Sequence, residues 1–165
     1  MDNNQIDDIL RNDSNLNMNY LGCFMNSYIP PHVFSSDENV CIIVNTTYDS
    51  NIFGHWILLY KYKGVLYYFD SFSMAPQYYG GAIFQIFSQY HGVKTHAVSS
   101  QLQSNESVVC GGYCIYFAKK LSVGYSLKHI MRVFTKRRHC NDLFIKRFIF
   151  NLTRCVFKKN ILVCN

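Results

Sequence analysis

Proline is scarce in this sequence, three residues in 165, and no Pro-, Ser- or Gly-rich stretch gathers into a linker. Internal repeats and low-complexity tracts are missing too. Residues 1–165 are therefore expected to fold as one domain, long enough to bury a substantial core. Long hydrophobic runs are absent: VCIIV and WILLY fall far short of the ~20 apolar residues that a membrane helix needs. The start, MDNNQIDDILRND, has neither the basic opening nor the apolar stretch of a secretory signal. A soluble protein made in the cytosol is expected. The seven cysteines are odd in number and irregularly spaced, which fits reduced thiols better than a disulfide framework. In that setting the sequons at Asn45, Asn105 and Asn151 carry no meaning.

Acidic residues nearly vanish from the second half. Up to Tyr90 there are eight Asp/Glu and three Lys/Arg, and from His91 onward two Asp/Glu and thirteen Lys/Arg. The net charge of +6 thus divides into −5 and +11. A basic half of this kind suits a polyanion, most often nucleic acid. Lys128, Arg132, Lys136, Arg137, Arg138, Lys146 and Arg147 are the candidate DNA-binding residues. The plainer alternative is a solvated helix face. What is abundant is apolar and aromatic, 49% and 16% of the chain, which excludes disorder.

The patterning predicts an α+β fold, a small mostly antiparallel central sheet flanked by helices. Asn3–Arg11 reads as an amphipathic helix with Ile6, Ile9 and Leu10 inward. LGCFMNSYIPPHVFSS reads as a loop punctuated by Pro30 and Pro31, and Val40–Val44 as a buried strand. HWILLYKYKGVLYYFDSF reads as a hairpin turning at Lys63–Gly64. Tyr79–Tyr90 is helix-like, stopped by Gly92, and Val93–Val98 a short strand. Cys110–Leu121 follows as a helix with Cys110, Cys114, Phe117 and Leu121 near one face. Ser126 is expected to cap a helix burying Leu127, Ile130, Met131 and Phe134. Asn141 is expected to cap a last one burying Leu143, Phe144, Phe148, Leu152 and Cys155.

The hairpin carries a chemical consequence. A two-residue turn at Lys63–Gly64 pairs position 55 with 72 and 57 with 70, and a turn one residue earlier pairs 55 with 70. In both registers His55 and Asp70 share a face at the open end, because the strand period is two. A cysteine at a helix N-terminus, as predicted for Cys110, feels the positive end of the helix dipole and leans toward thiolate. An imidazole beside it completes an ion pair, and a carboxylate behind the imidazole fixes its tautomer. The Cys110 N–H and the Gln103 amide are candidate donors to an oxyanion. Trp56, Gly111 and Gly112 then become substrate-contact candidates, the glycines keeping the helix mouth bare for a substrate backbone. Singly, each has a plainer reading. Such a cysteine is usually core, as Cys114 is read to be; the histidine can be a satisfied half-buried one, Asp70 a turn residue and Gln103 a surface one. A zinc grouping of Cys110, Cys114, His139 and Cys140 has poor ligand spacing, so no metal is expected.

Taken in order, these segments resemble the adenovirus protease (adenain) family of cysteine endopeptidases, related to the ubiquitin-like-protein proteases. LGCFMNSYIPPHVF, VCIIVNTTYDSNIFGHW, LYYFDSF and QSNESVVCGGYC carry the likeness, through the catalytic helix; beyond Gly124 it rests on helical character and charge. The resemblance implies His55 as general base, Asp70 as its orienting acid, Gln103 in the oxyanion hole and Cys110 as nucleophile. It implies an enzyme of a virus or virus-like transposon, cleaving capsid and core precursors beside Gly during virion maturation, in the host cytosol or nucleus and in the virion. Asp70, where adenovirus enzymes carry Glu, leans toward the ubiquitin-like-protein proteases, and a deconjugase is the alternative reading. An inactive DNA-binding or structural virion protein is the alternative of another class. The chemistry requires no cofactor. The family's disulfide-linked peptide activator has no counterpart cysteine between Cys41 and Cys110, while DNA stays open as an activator.

Overall fold

A computed structural model describes residues 1–16, 19–34, 39–48, 54–89 and 95–162. Helix α1 (Asn3–Arg11) opens on a capping box: the Asp2 carboxylate accepts from the Gln5 N–H, and the Gln5 side chain accepts from the Asp2 N–H. A five-stranded sheet follows in the order β1 (Tyr20–Met25), β2 (Val40–Asn45), β3 (Trp56–Tyr62), β4 (Val65–Phe69), β5 (Thr95–Ala97). The central pairings β2–β3 and β3–β4 are antiparallel, and the edge strands β1 and β5 add on parallel. Helices α2 (Pro76–Tyr79) and α3 (Gly81–Gln89) lie between β4 and β5; α4 (Cys110–Ser122), α5 (Leu127–Met131) and α6 (Arg138–Leu162) complete the chain.

The central strands β2 and β3 are covered on both faces, which is why they are apolar without alternation. Trp56, Leu58 and Tyr60 of β3 join Cys41 and Ile43 of β2 in a core shared with α1, α4 and α6. Ile57 and Leu59 join Ile42 and Val44 in a second core with Ala82, Ile83 and Ile86 of α3. Helix α4 is buried almost all round, from Cys110 to Ala118 and again at Leu121, and so exceeds the single apolar face expected of it.

The hairpin turns at Lys63–Gly64, both with positive φ, as a two-residue loop of matching twist requires. Tyr62 pairs with Val65 and Leu58 with Phe69, the first of the two predicted registers.

Several expectations need correction. The loop predicted over residues 21–36 contains β1 and a short 3-10 helix, Pro31–Phe34. Gly22, at φ 136°, marks an irregularity in the β1 register that hides the strand period. The helix predicted over residues 79–90 is two helices parted at Gly80. Gly92 and Val93 lie outside the described residues. Ser126 caps α5 as read, but α5 ends at Met131, and Phe134 reaches the core from the following turn, stacked on Phe117.

Asn141 is not a cap, because α6 begins at Arg138 and Asn141 is buried inside its first turns. That turns the helix relative to expectation. Ile145 is fully buried and Phe148 and Leu152 pack on the core, whereas Leu143 is 54% exposed and Phe144 only part-covered. The side chain of Cys155 lies outside the described residues.

The two glycines after Cys110 serve packing, not an open helix mouth. Both are buried, and a Cβ on Gly112 would stand 2.8 Å from Ile145 Cγ2 and 3.2 Å from Ile149 Cγ1. On Gly111 it would meet Ile6 at 3.2 Å and Trp56 at 3.4 Å. The glycines let α4 lie close to α6 and α1. Gly112→Val is expected to destabilise the protein by about 2–3 kcal/mol, since a stiff branched side chain overpacks against buried Ile145. Urea denaturation measures this; an unchanged midpoint contradicts the packing role.

Candidate active site

His55 sits one residue before β3. Its N–H donates to Thr46 Oγ1 (3.2 Å) and its carbonyl accepts from Thr46 N–H (2.8 Å), so its backbone is tied to the end of β2. Asp70 sits one residue after β4. The register sets His55 two positions from the residue opposite Asp70, and their side chains meet, His55 Nε2 to Asp70 Oδ1 at 2.6 Å. Asp70 is 1% exposed, and four donors surround it. Its Oδ1 also accepts from Phe72 N–H (2.8 Å), and its Oδ2 from Met74 N–H (3.0 Å) and the Tyr79 hydroxyl (2.7 Å). Burial opposes ionisation of this carboxyl, but the His55 hydrogen bond and charge outweigh it and hold the pKa below the ordinary value.

Cys110 begins α4, the long helix that packs against β3. Burial disfavours its thiolate. The hydrogen bond and charge of His55, with backbone donors at Trp56 and Gly111, more than offset that and lower the thiol pKa. Burial likewise disfavours the His55 imidazolium, but the hydrogen bonds and charges of Asp70 and Cys110 push its pKa up to about 9. Both shifts favour the thiolate–imidazolium pair over neutral thiol and imidazole. Phe72, with ring centroids 4.7 Å apart, and Tyr79, at 6.3 Å, confine the imidazole. Cys114, one turn further, is a different case: it is fully buried, its thiol donates to the Trp56 carbonyl (3.3 Å), and burial pushes its pKa well up.

Gln103 is 1% exposed and held by the same turn that carries Asp70. The Ser71 hydroxyl donates to Gln103 Oε1 (2.7 Å), and the Ser71 carbonyl accepts from the N–H groups of Leu102 and Gln103. Gln103 Nε2 donates to the Ser107 carbonyl (2.6 Å). A carbonyl can only accept, so this contact fixes which end of the amide is nitrogen. Among the described residues the second amide proton of Gln103 has no hydrogen-bond partner.

Of the other predicted site residues, Trp56 is 9% exposed, its indole N–H donating to the Met1 carbonyl (3.2 Å). Gly111 and Gly112 are packed as described above. Lys128, Arg132, Lys136, Arg137, Arg138, Lys146 and Arg147 are exposed along α5, α6 and the segment between them. Sequence reasoning missed Tyr79, Phe72 and Ser71. Ser71 and Phe72 stood in the FDSF segment beside Asp70; no spacing rule linked Tyr79 to it, because the turn of α2 makes that contact.

No family model matches the chain, and no curated protein matches it. Among solved structures it is similar to the ASFV pS273R protease. One crystal structure gives a TM-score of 0.54 at 17% identity, over 79% of this chain and 60% of that one. Its selenomethionine form gives 0.54 at 15% identity, over 88% and 66%. The chain shares its fold with a protease. It spans about three-fifths to two-thirds of that protease's length.

Proposed function

We propose that this chain is a cysteine endopeptidase. One observation carries the reading: in a fold shared with a protease, one imidazole is hydrogen-bonded both to a buried carboxylate and to a cysteine at the start of a buried helix. The Cys110 thiolate attacks the scissile carbonyl carbon. The oxyanion takes hydrogen bonds from the Cys110 N–H and the free proton of the Gln103 amide. The His55 imidazolium protonates the leaving amine, and the imidazole then activates the water that hydrolyses the thioester. Asp70 holds the ring through Nε2, leaving the other nitrogen for sulfur.

The likeness to a viral enzyme and the basic second half support a finer version. The substrates are virion precursor proteins cut beside Gly, in the infected cell and the particle, with DNA as an activator bound along the exposed cations from Lys128 to Arg147. Mass-spectrometric readout of a peptide library digested with and without duplex DNA tests both levels. Cleavage beside Gly, abolished by thiol alkylation, is expected. Cleavage that survives alkylation of Cys110 sinks the thiol mechanism, and indifference to DNA removes the activator.

The ionisations set the pH profile. The thiolate is lost as pH falls through the lowered Cys110 pKa, and the imidazolium is lost as pH rises through about 9. A bell is expected whose upper limb lies near 9. An upper limb near the ordinary histidine value of ~6.5 contradicts the ion pair.

A further inference from the structure

Behind Gln103 lies a buried polar cluster that the mechanism above does not use. The Asp142 carboxyl group, 3% exposed, accepts from the Ser104 N–H (3.2 Å), the Ser104 hydroxyl (2.5 Å) and the Tyr113 hydroxyl (3.0 Å). Tyr113 also reaches the Leu102 carbonyl (3.2 Å). Asn141, beside Asp142, donates to that carbonyl (3.1 Å) and to the Thr135 carbonyl (2.9 Å). From the other side come the Ser71 contacts to Leu102 and Gln103 and the Gln101 side chain, which donates to the Gln103 carbonyl (2.8 Å). Ser107 N–H closes on the Ser104 carbonyl (3.2 Å). Every backbone donor and acceptor of residues 102–104 is thereby engaged.

Residues 102–104 are buried, so their backbone groups must find partners inside the protein, and here side chains of α4 and α6 supply several of them. Burying two side chains as polar as Asn141 and Asp142 against one three-residue segment carries a desolvation cost. Two apolar residues would fill the same space but leave the buried Ser104 donors without an acceptor. What apolar residues cannot do is fix the path of a segment whose middle residue presents a single free amide proton. An oxyanion donor is effective only when held near 2.7–3.1 Å from the developing charge, so its support must be stiff.

Resting on the protease reading, we infer that Asp142, with Asn141, is a positioning residue for the oxyanion hole, clamping residues 102–104 to α6 so that Gln103 is aimed before substrate arrives. The hydrogen-bond partners of Asp142 are Ser104 and Tyr113, not His55, Asp70 or Cys110, and it acts through them.

Two thiol reagents separate this role from general support. A peptide aldehyde ending in glycinal adds to Cys110: the sulfur–carbon bond forms, the carbonyl π pair becomes an oxyanion, and the donors around Gln103 hold it. Iodoacetamide alkylates the same thiolate by displacing iodide, with no oxyanion. Asp142→Ala is expected to weaken aldehyde binding about tenfold or more and to slow peptide-library cleavage in parallel. Iodoacetamide alkylation of Cys110 at pH 7 is expected to stay within about twofold of wild type, because the His55 pair is untouched. Asp142→Asn is expected to restore most of the loss, since its oxygen still accepts from Ser104 and its nitrogen can donate to the Tyr113 oxygen. Ser104→Ala, which keeps the backbone bond, should show the same pattern more weakly and decides the matter if Asp142→Ala does not fold. Aldehyde binding unchanged in both folded variants overturns the inference, as does a parallel fall of both reagents. A wild-type protein that takes up neither reagent at Cys110 overturns the nucleophile reading, and this inference with it.

Discussion

Cys110→Ala is expected to reduce peptide cleavage at least ~10⁴-fold while leaving the fold in place. The sulfur is the atom that forms the covalent intermediate, and removing a nucleophile leaves only substrate binding and the oxyanion donors to act on water. The structural cost is small. Cys110 is 8% exposed, Ala fits the same helix position, and the substitution removes no large apolar group. The variant also carries a second signature. The hydrogen bond and charge of Cys110 both raise the His55 pKa, so without sulfur that pKa should fall from about 9. Titration of the His55 ring protons by NMR measures it, alongside the thermal midpoint and the peptide digest. A variant that keeps wild-type cleavage refutes Cys110 as nucleophile. A variant that loses cleavage but keeps a His55 pKa near 9 refutes the contact between ring and sulfur.

The reading of the hairpin shows why this pair was legible in the sequence. A turn at Lys63–Gly64 and a period of two put His55 and Asp70 on one face whichever register formed, and the observed register brings them to 2.6 Å. The start of α4 was legible as well, because an apolar run opening on Cys110 has few other ways to fold. Sequence spacing could not say what the bare Cα atoms of Gly111 and Gly112 face. Close approach of a substrate and close approach of another helix ask for the same residue, and here the neighbours are Ile6, Ile145 and Ile149. The inward face of α6 was hidden for a related reason. Two of its buried positions are Asn141 and Asp142, which in sequence look like a helix start; only the partners, Leu102 and Ser104 about forty residues away, make them core. Strand β1 was missed because its Gly22 irregularity breaks the alternation that marks a strand.

Asp70→Asn isolates the charge of the acid from its shape. Each carboxylate oxygen is met by two donors: Oδ1 by His55 and the Phe72 N–H, Oδ2 by the Met74 N–H and the Tyr79 hydroxyl. An amide has one acceptor end, so in either orientation its NH₂ faces a backbone N–H. The less costly orientation turns nitrogen toward Met74 and Tyr79, because the phenol can rotate to accept whereas the ring nitrogen of an imidazolium cannot. His55 then keeps its hydrogen bond and its tautomer but loses the anion behind it. Less stabilised, the imidazolium gives up its proton at lower pH, so the upper limb of the activity bell should move down from about 9. The balance moves from the ion pair toward neutral thiol and imidazole, and cleavage at neutral pH should fall about 10²-fold or more, toward the ~10⁴-fold seen when a triad acid's replacement leaves the wrong tautomer. Tyr79→Phe provides the opposite sign. Without the phenol, Asp70 loses a donor that draws charge away from Oδ2, its pull on the imidazolium strengthens, and the upper limb should move up while the looser acid lowers kcat. Cleavage measured across pH for the two variants decides between them: limbs shifting in opposite directions place the buried carboxylate in control of the imidazole, and limbs that stay together with wild type reduce Asp70 to a turn residue.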